Sequence, residues 1–161
     1  MNDGVETAVS EAYRIFSPYA FERGAPTAGG GGLLGPLEER LLCVTPVREI
    51  SPDLLASHAA SIAPSVDGTE ADNLRALLPR YFELIAAGGF PLAGWRMDLI
   101  RCLARSGYRE RWPEAEADAI DRILAALLDA AEALGAPDDV LTIRGLMAAS
   151  LDQPPTVPDE A

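Results

Sequence analysis

The feature that most constrains the fold is the recurrence of aliphatic side chains at intervals of three and four residues, in segments separated by glycine and proline. This spacing places apolar side chains on one face of an α-helix, and that face is buried against another element. In residues 113–134 the apolar positions are Ile120, Ile123, Leu124, Leu127, Leu128, Ala131 and Leu134. No segment alternates apolar and polar residues as a strand does, so we expect no sheet.

The same pattern, combined with capping signals, predicts further helices near residues 4–17, 36–43, 52–63, 70–87, 91–106 and 137–149. The chain has 161 residues, which suits one domain with a real hydrophobic core. We therefore expect an all-α protein, an irregular bundle of six or seven helices over residues 1–151.

Individual residues predict where these helices begin, end or bend. Ser51 followed by proline is a typical helix start, and Thr69 with a carboxylate three residues later is another. Pro79 lies within an otherwise helical pattern, so we expect a kink there or two abutting helices. Gly107 and Gly135 follow apolar stripes and are expected to end helices.

Two segments are predicted to lie outside the helices. Residues 19–36 contain an unbroken glycine run, Gly29–Gly32, and are expected to form a flexible loop. That run lacks the Gly-Lys-Ser/Thr ending of a phosphate-binding loop and follows no strand, which argues against a nucleotide site. Residues 152–161 are rich in proline and acidic residues, and we expect a disordered tail.

The charge of the chain excludes several classes of function. The net charge is −12, and all 13 basic residues are arginine. Strong acidity disfavours nucleic acid and anionic membranes as partners, and it favours a basic protein partner. The absence of lysine removes Schiff-base chemistry. No uncharged run is long enough to span a bilayer, and residues 1–6 lack the features of a secretory signal. We therefore expect a cytoplasmic protein in which Cys43 and Cys102 are buried, reduced thiols, with a single disulfide between them as the alternative.

Few residues are candidates for chemistry, and we expect no metal and no cofactor. His58 is the only histidine in the sequence, so a two-histidine metal site is excluded. We expect it to be a satisfied helix residue, with a catalytic base as the alternative. Glu114, Asp118 and Asp121 share one helix face, which is either solvated or able to bind a hard cation with help from a second helix.

The one basic stretch contains four candidate anion-binding residues, Arg101, Arg105, Arg109 and Arg111. Guanidinium groups can clamp a phosphate or carboxylate, and the helix that follows would add backbone donors. The competing interpretation is that these arginines pair with nearby carboxylates such as Glu114 and hold two helices together.

Residues 74–88, LRALLPRYFELIAAG, resemble the central stretch of a group of uncharacterised bacterial helical proteins. The resemblance extends more weakly over residues 41–128, and members of the group carry additional cysteines near the position of Cys43. It implies a helical fold and a bacterial origin. It implies no activity.

Two functional hypotheses follow from these observations. The first is a non-enzymatic helical module with an interaction or regulatory role, binding another protein or a second copy of itself. The alternative is a small-ligand or anion-binding protein, with or without enzymatic activity, that uses the arginine cluster. Arginines that are fully paired with carboxylates would argue against the second hypothesis.

Overall fold

The helices predicted from the aliphatic spacing form the body of the molecule. The computed structural model describes residues 3–22, 34–62, 68–88, 99 and 102–149. Within these residues the structure has no strand, and the all-α prediction is confirmed. The helices are α1 (Asp3–Ile15), α2 (Pro36–Val44), α3 (Pro52–Ser61), α4 (Gly68–Ala86), α5 (Tyr108–Arg111), α6 (Glu114–Leu134) and α7 (Pro137–Ala149), with a 3₁₀ turn at Val47–Glu49. Residue 99 and residues 102–106 are also helical.

The core forms around α4 and α6. Helix α1 packs against both of them, α7 folds back onto α6, and α3 and the 3₁₀ turn pack on α4. The apolar stripe of α6 is buried from Ile120 to Ala131, apart from the half-buried Leu128. The prediction is wrong for Leu134, which is 83% exposed at the end of the helix. The largest fully buried side chains include Phe16, Tyr81, Phe82, Tyr108 and Ile120. Burial of these side chains supplies the main driving force for folding.

Several helix ends match their sequence signals. The Ser51 hydroxyl accepts a hydrogen bond from the Leu54 amide at 3.3 Å, as an N-cap residue should. Gly107 and Gly135 adopt left-handed conformations, with φ values of 57° and 63°. A side chain at either position would be strained, which explains why glycine stands where α5 begins and where α6 ends.

Helix α4 departs from the prediction in two ways. It runs without interruption through Pro79, which excludes the alternative of two abutting helices, while the kink stays a prediction. The residues around Pro79 are buried, and their packing holds the helix together despite the lost backbone hydrogen bond. The helix also begins at Gly68, so Thr69 is not its cap. The Asp72 carboxylate instead accepts a hydrogen bond from Arg75 Nη1 at 2.7 Å.

Some predictions lie largely outside the described residues. These include the glycine run Gly29–Gly32, most of the predicted helix over 91–106, and the tail over 152–161. Of the predicted loop, residues 19–22 and 34–35 are described and are not helical. In the described part of the chain, no helix has the length and apolar character needed to cross a bilayer.

Candidate interaction surface

The four candidate anion-binding arginines have different environments. Arg101 lies outside the described residues. Arg105 and Arg111 are exposed, and neither forms an ion pair with a described residue. Arg109 is already engaged by an internal carboxylate. Arg105 and Arg111 are therefore the two described members of the cluster that form no salt bridge within the described part of the chain.

Asp121 is the carboxylate that engages Arg109. Its Oδ1 atom accepts hydrogen bonds from Arg109 Nη2 at 2.9 Å and from the Tyr108 hydroxyl at 2.6 Å. The Arg109 Nε atom lies 3.1 Å from Oδ2. The hydrogen bond to Asp121 raises the pKa of Arg109. This arrangement fastens α5 to α6, as the internal-pairing interpretation expects, although the partner is Asp121 rather than Glu114.

A second cluster joins α4, α6 and the segment after α1 through Glu116. The Tyr19 hydroxyl donates to Glu116 Oε1 at 2.6 Å. Arg75 Nε lies 3.1 Å from Glu116 Oε2, but neither atom has a hydrogen bond of acceptable geometry, so this contact is an ion pair. The Arg75 guanidinium also lies 4.3 Å from the centre of the Trp112 ring. Burial, with the bond to Glu116, raises the pKa of Tyr19 to about 12.

An open cleft of about 310 Å³ adjoins this cluster. It is lined by the first turn of α4 and by Arg75, Ser106, Arg111 and Trp112. Arg75 is neutralised by Asp72 and Glu116, so Arg111 is the arginine in this cleft with no salt bridge to a described residue. An anion would therefore meet one available guanidinium here.

A third polar cluster ties α1 to α4 through Glu83. The carboxylate accepts hydrogen bonds from the Tyr13 hydroxyl and from Arg80 Nη1, both at 2.7 Å. Arg48 completes the cluster, with its guanidinium 3.7 Å from the centre of the Tyr13 ring. Burial works to raise the pKa of Glu83, but the bonds from Tyr13 and Arg80 outweigh it and lower that pKa. These charges are paired with one another, which assigns the cluster a structural role.

His58 is a core residue. Its Nδ1 atom lies 2.8 Å from the Tyr81 hydroxyl, which itself donates to the Leu55 carbonyl at 2.9 Å. Because the tyrosine proton is used in that bond, Nδ1 carries a proton and donates to the hydroxyl oxygen. Burial lowers the pKa of His58 to about 4. The ring is thus neutral and buried, and its Nδ1 atom is hydrogen-bonded, which agrees with the structural role expected from the sequence.

Neither cysteine forms a disulfide bond, and their environments differ. Cys102 is buried as predicted, but Cys43 is exposed on α2, so the prediction of two buried thiols is wrong for Cys43. Helix α2 buries a single residue, which leaves its other side chains outside the core. Among the described residues, no group of three or more His, Cys, Asp or Glu side chains is arranged to hold a metal ion.

The most unusual surface is an aliphatic stripe on α2, formed by Leu37, Leu41 and Val44. These side chains are 68%, 42% and 70% exposed. Their spacing of four and then three residues places them on one helix face, over a length of roughly 10 Å. Leu42 lies about 100° further round the helix and is the residue that α2 buries in the core. The sequence predicts a helix over residues 36–43 but does not indicate which of its apolar side chains are exposed.

Comparisons of this chain with protein-family models, with curated proteins and with solved structures found no match.

Proposed function

We propose that the protein is a non-enzymatic interaction module whose docking surface is the aliphatic stripe of α2. The observation that carries this proposal is the exposure of Leu37, Leu41 and Val44 on one face of a helix that is anchored by Leu42. Isolated exposed leucines are common on protein surfaces, but a contiguous apolar stripe is typical of a surface that binds a partner.

The occupant that fits best is an amphipathic helix with basic residues beside its apolar face. Two turns of aliphatic side chains at helical spacing match the leucine or valine stripe of another helix. The net charge of −12 attracts a basic partner and repels a second copy of the same chain. Helix α2 itself carries Glu38 and Glu39 against Arg40. A stripe of three side chains is short, so it suits a transient complex rather than a permanent one.

A designed peptide tests this proposal directly. The probe is a labelled helical peptide with leucines at positions i, i+4 and i+7 and arginines on both flanks. We expect it to bind the full chain in a fluorescence anisotropy titration, and we expect the L37S/L41S/V44S variant to bind at least tenfold more weakly. The triple variant keeps every charge of the wild-type protein. Peptide binding that remains in the variant therefore reports the electrostatic attraction, and the difference reports the aliphatic stripe.

Two controls make the test specific. Leu141→Ser removes an equally exposed leucine on α7, which is 69% exposed, and it should leave peptide binding unchanged. A peptide with glutamates in place of the arginines should bind weakly or not at all. Equal binding to wild type and to the triple variant would contradict the proposal. In analytical ultracentrifugation, an apparent mass that rises with protein concentration in the wild type but not in the triple variant would identify a second copy as the occupant instead.

Anion binding is a second candidate function, and it rests on the exposed Arg111 in the cleft beside α4. Phosphate, sulfate and nucleotides are the probes in a thermal-shift titration. A bound anion at 100 times its dissociation constant adds about 2.7 kcal/mol to the free energy of unfolding. The shift should disappear in Arg111→Gln and persist in Arg144→Gln, which removes an exposed arginine of α7 that pairs with Glu132. No shift with any anion would remove this candidate.

A further inference from the structure

A second cleft, far from α2 in sequence, lies where the end of α4 meets α6 and α7. It has a volume of about 150 Å³. Its described walls include Ile85, Leu127 and Ile143, with Ala130 and Ala131 facing the same space. The remaining described lining residues are Ala86, Gly88, Leu99, Leu134 and Asp139.

Two of the residues that line the space between α6 and α7 are alanines, which occupy less of it than longer side chains would. Ala130 and Ala131 occupy consecutive positions on α6 opposite Ile143 of α7. Protein interiors are packed as densely as organic crystals, so the side chains around unfilled space of this size lack dispersion contacts on that side. A ligand that fills the cleft would supply those contacts.

The chemistry of the lining selects the ligand. The wall is mainly aliphatic, and an enclosed cavity of about this volume with such walls accepts benzene-sized molecules. This cleft has a comparable volume and lining but is partly open to solvent beside the exposed Leu134. The one charged residue among the described lining is Asp139. Its negative charge disfavours a carboxylate or phosphate, and the aliphatic wall would strip water from any charged group without replacing its hydrogen bonds.

We propose that the cleft between α4, α6 and α7 is a binding site for a small, uncharged, apolar molecule or moiety of about the size of benzene. The site does not involve Leu37, Leu41 or Val44, so it is independent of the proposed docking surface. Neither site requires the other to be occupied.

The test uses benzene and benzoate as matched probes on the full chain. We expect benzene to raise the thermal midpoint in a dose-dependent manner and to show intermolecular nuclear Overhauser contacts with the methyl groups of Leu127 and Ile143. Benzoate at the same concentrations should give neither signal. No benzene contact at saturation, or equal binding of both probes, would overturn the proposal.

A filling variant and its control locate the site. Ala130→Leu places added methyl groups in the cleft and should weaken benzene binding at least tenfold. Ala125→Leu makes the same change at an exposed position of α6 and should leave binding unchanged. Undiminished binding to Ala130→Leu would also overturn the proposal. If Ala130→Leu fails to fold, the methyl contacts in the wild-type protein decide the question alone. Peptide binding at α2 should be intact in a folded Ala130→Leu variant, which separates this proposal from the proposed function.

Discussion

Helices α6 and α2 have similar sequence signals but different positions in the fold. Both begin with acidic residues in the first turn, and both carry aliphatic side chains at helical spacing. Most of the α6 stripe is buried, and α6 packs against α1 and α7, whereas α2 contributes Leu42 alone to the core. Helical spacing therefore specifies a helix and its apolar face. It does not specify whether the rest of the same chain covers that face.

The largest expected effect tests the buried side of this comparison. Leu124 of α6 is 1% exposed, and Leu124→Ala removes a side chain that the neighbouring helices enclose. We expect the free energy of unfolding to fall by about 2–5 kcal/mol, because both the apolar transfer energy and the cavity contribute. Urea denaturation measures this change. A loss below about 1 kcal/mol would contradict the assignment of α6 to the core.

An intermediate effect comes from α3, which begins eight residues after α2 ends and is anchored in the core by His58. Burial lowers the pKa of His58 to about 4 in the folded protein, against an ordinary histidine value of 6.5. The unfolded chain therefore binds a proton at a higher pH than the folded chain does. Stability is fully present above pH 6.5 and is lost as the pH falls towards 4, by about 3 kcal/mol in total.

The control for this pH dependence is His58→Gln, which keeps a side-chain donor near Tyr81. Acidic residues such as Glu83, whose pKa is lowered, also destabilise the protein as the pH falls. The informative quantity is thus the difference in the free energy of unfolding between wild type and variant, measured by denaturation at a series of pH values from 7.5 to 4. Parallel curves for the two proteins would show that His58 is not buried in the neutral form.

The smallest expected effect tests the exposed side of the comparison. Leu41→Ser in α2 changes a side chain that is 42% exposed and lies away from Leu42. We expect the free energy of unfolding to change by no more than about 0.5 kcal/mol, as for most surface substitutions. A loss as large as that of Leu124→Ala would show that the stripe belongs to the core and would remove the basis for a docking surface.

Periodicity and capping residues predict most of this fold because they act within a few residues of one another. Ser51, Gly107 and Gly135 end or begin helices by local geometry, and each could be identified from the sequence. The continuity of α4 through Pro79 could not be identified from the sequence, because it depends on packing contributed by distant helices.

The candidate sites were less predictable for the same reason. Arg109 was recognised as a candidate for internal pairing, but its partner Asp121 is twelve residues away and is fixed by the angle between α5 and α6. The exposure of Leu37 and Leu41 also depends on what the rest of the chain leaves uncovered. The spacing of the leucines predicts an apolar helix face whether the rest of the chain covers that face or leaves it exposed.

The exposed thiol of Cys43 lies on α2 one residue before Val44, whereas the thiol of Cys102 is enclosed. A thiol-reactive fluorophore should therefore label the native protein selectively at Cys43, without any engineered cysteine. The fluorescence of that dye would change when a partner helix binds to the aliphatic stripe of α2. The same accessibility makes oxidation a route to covalently linked pairs of chains, so solution measurements of association need a reductant.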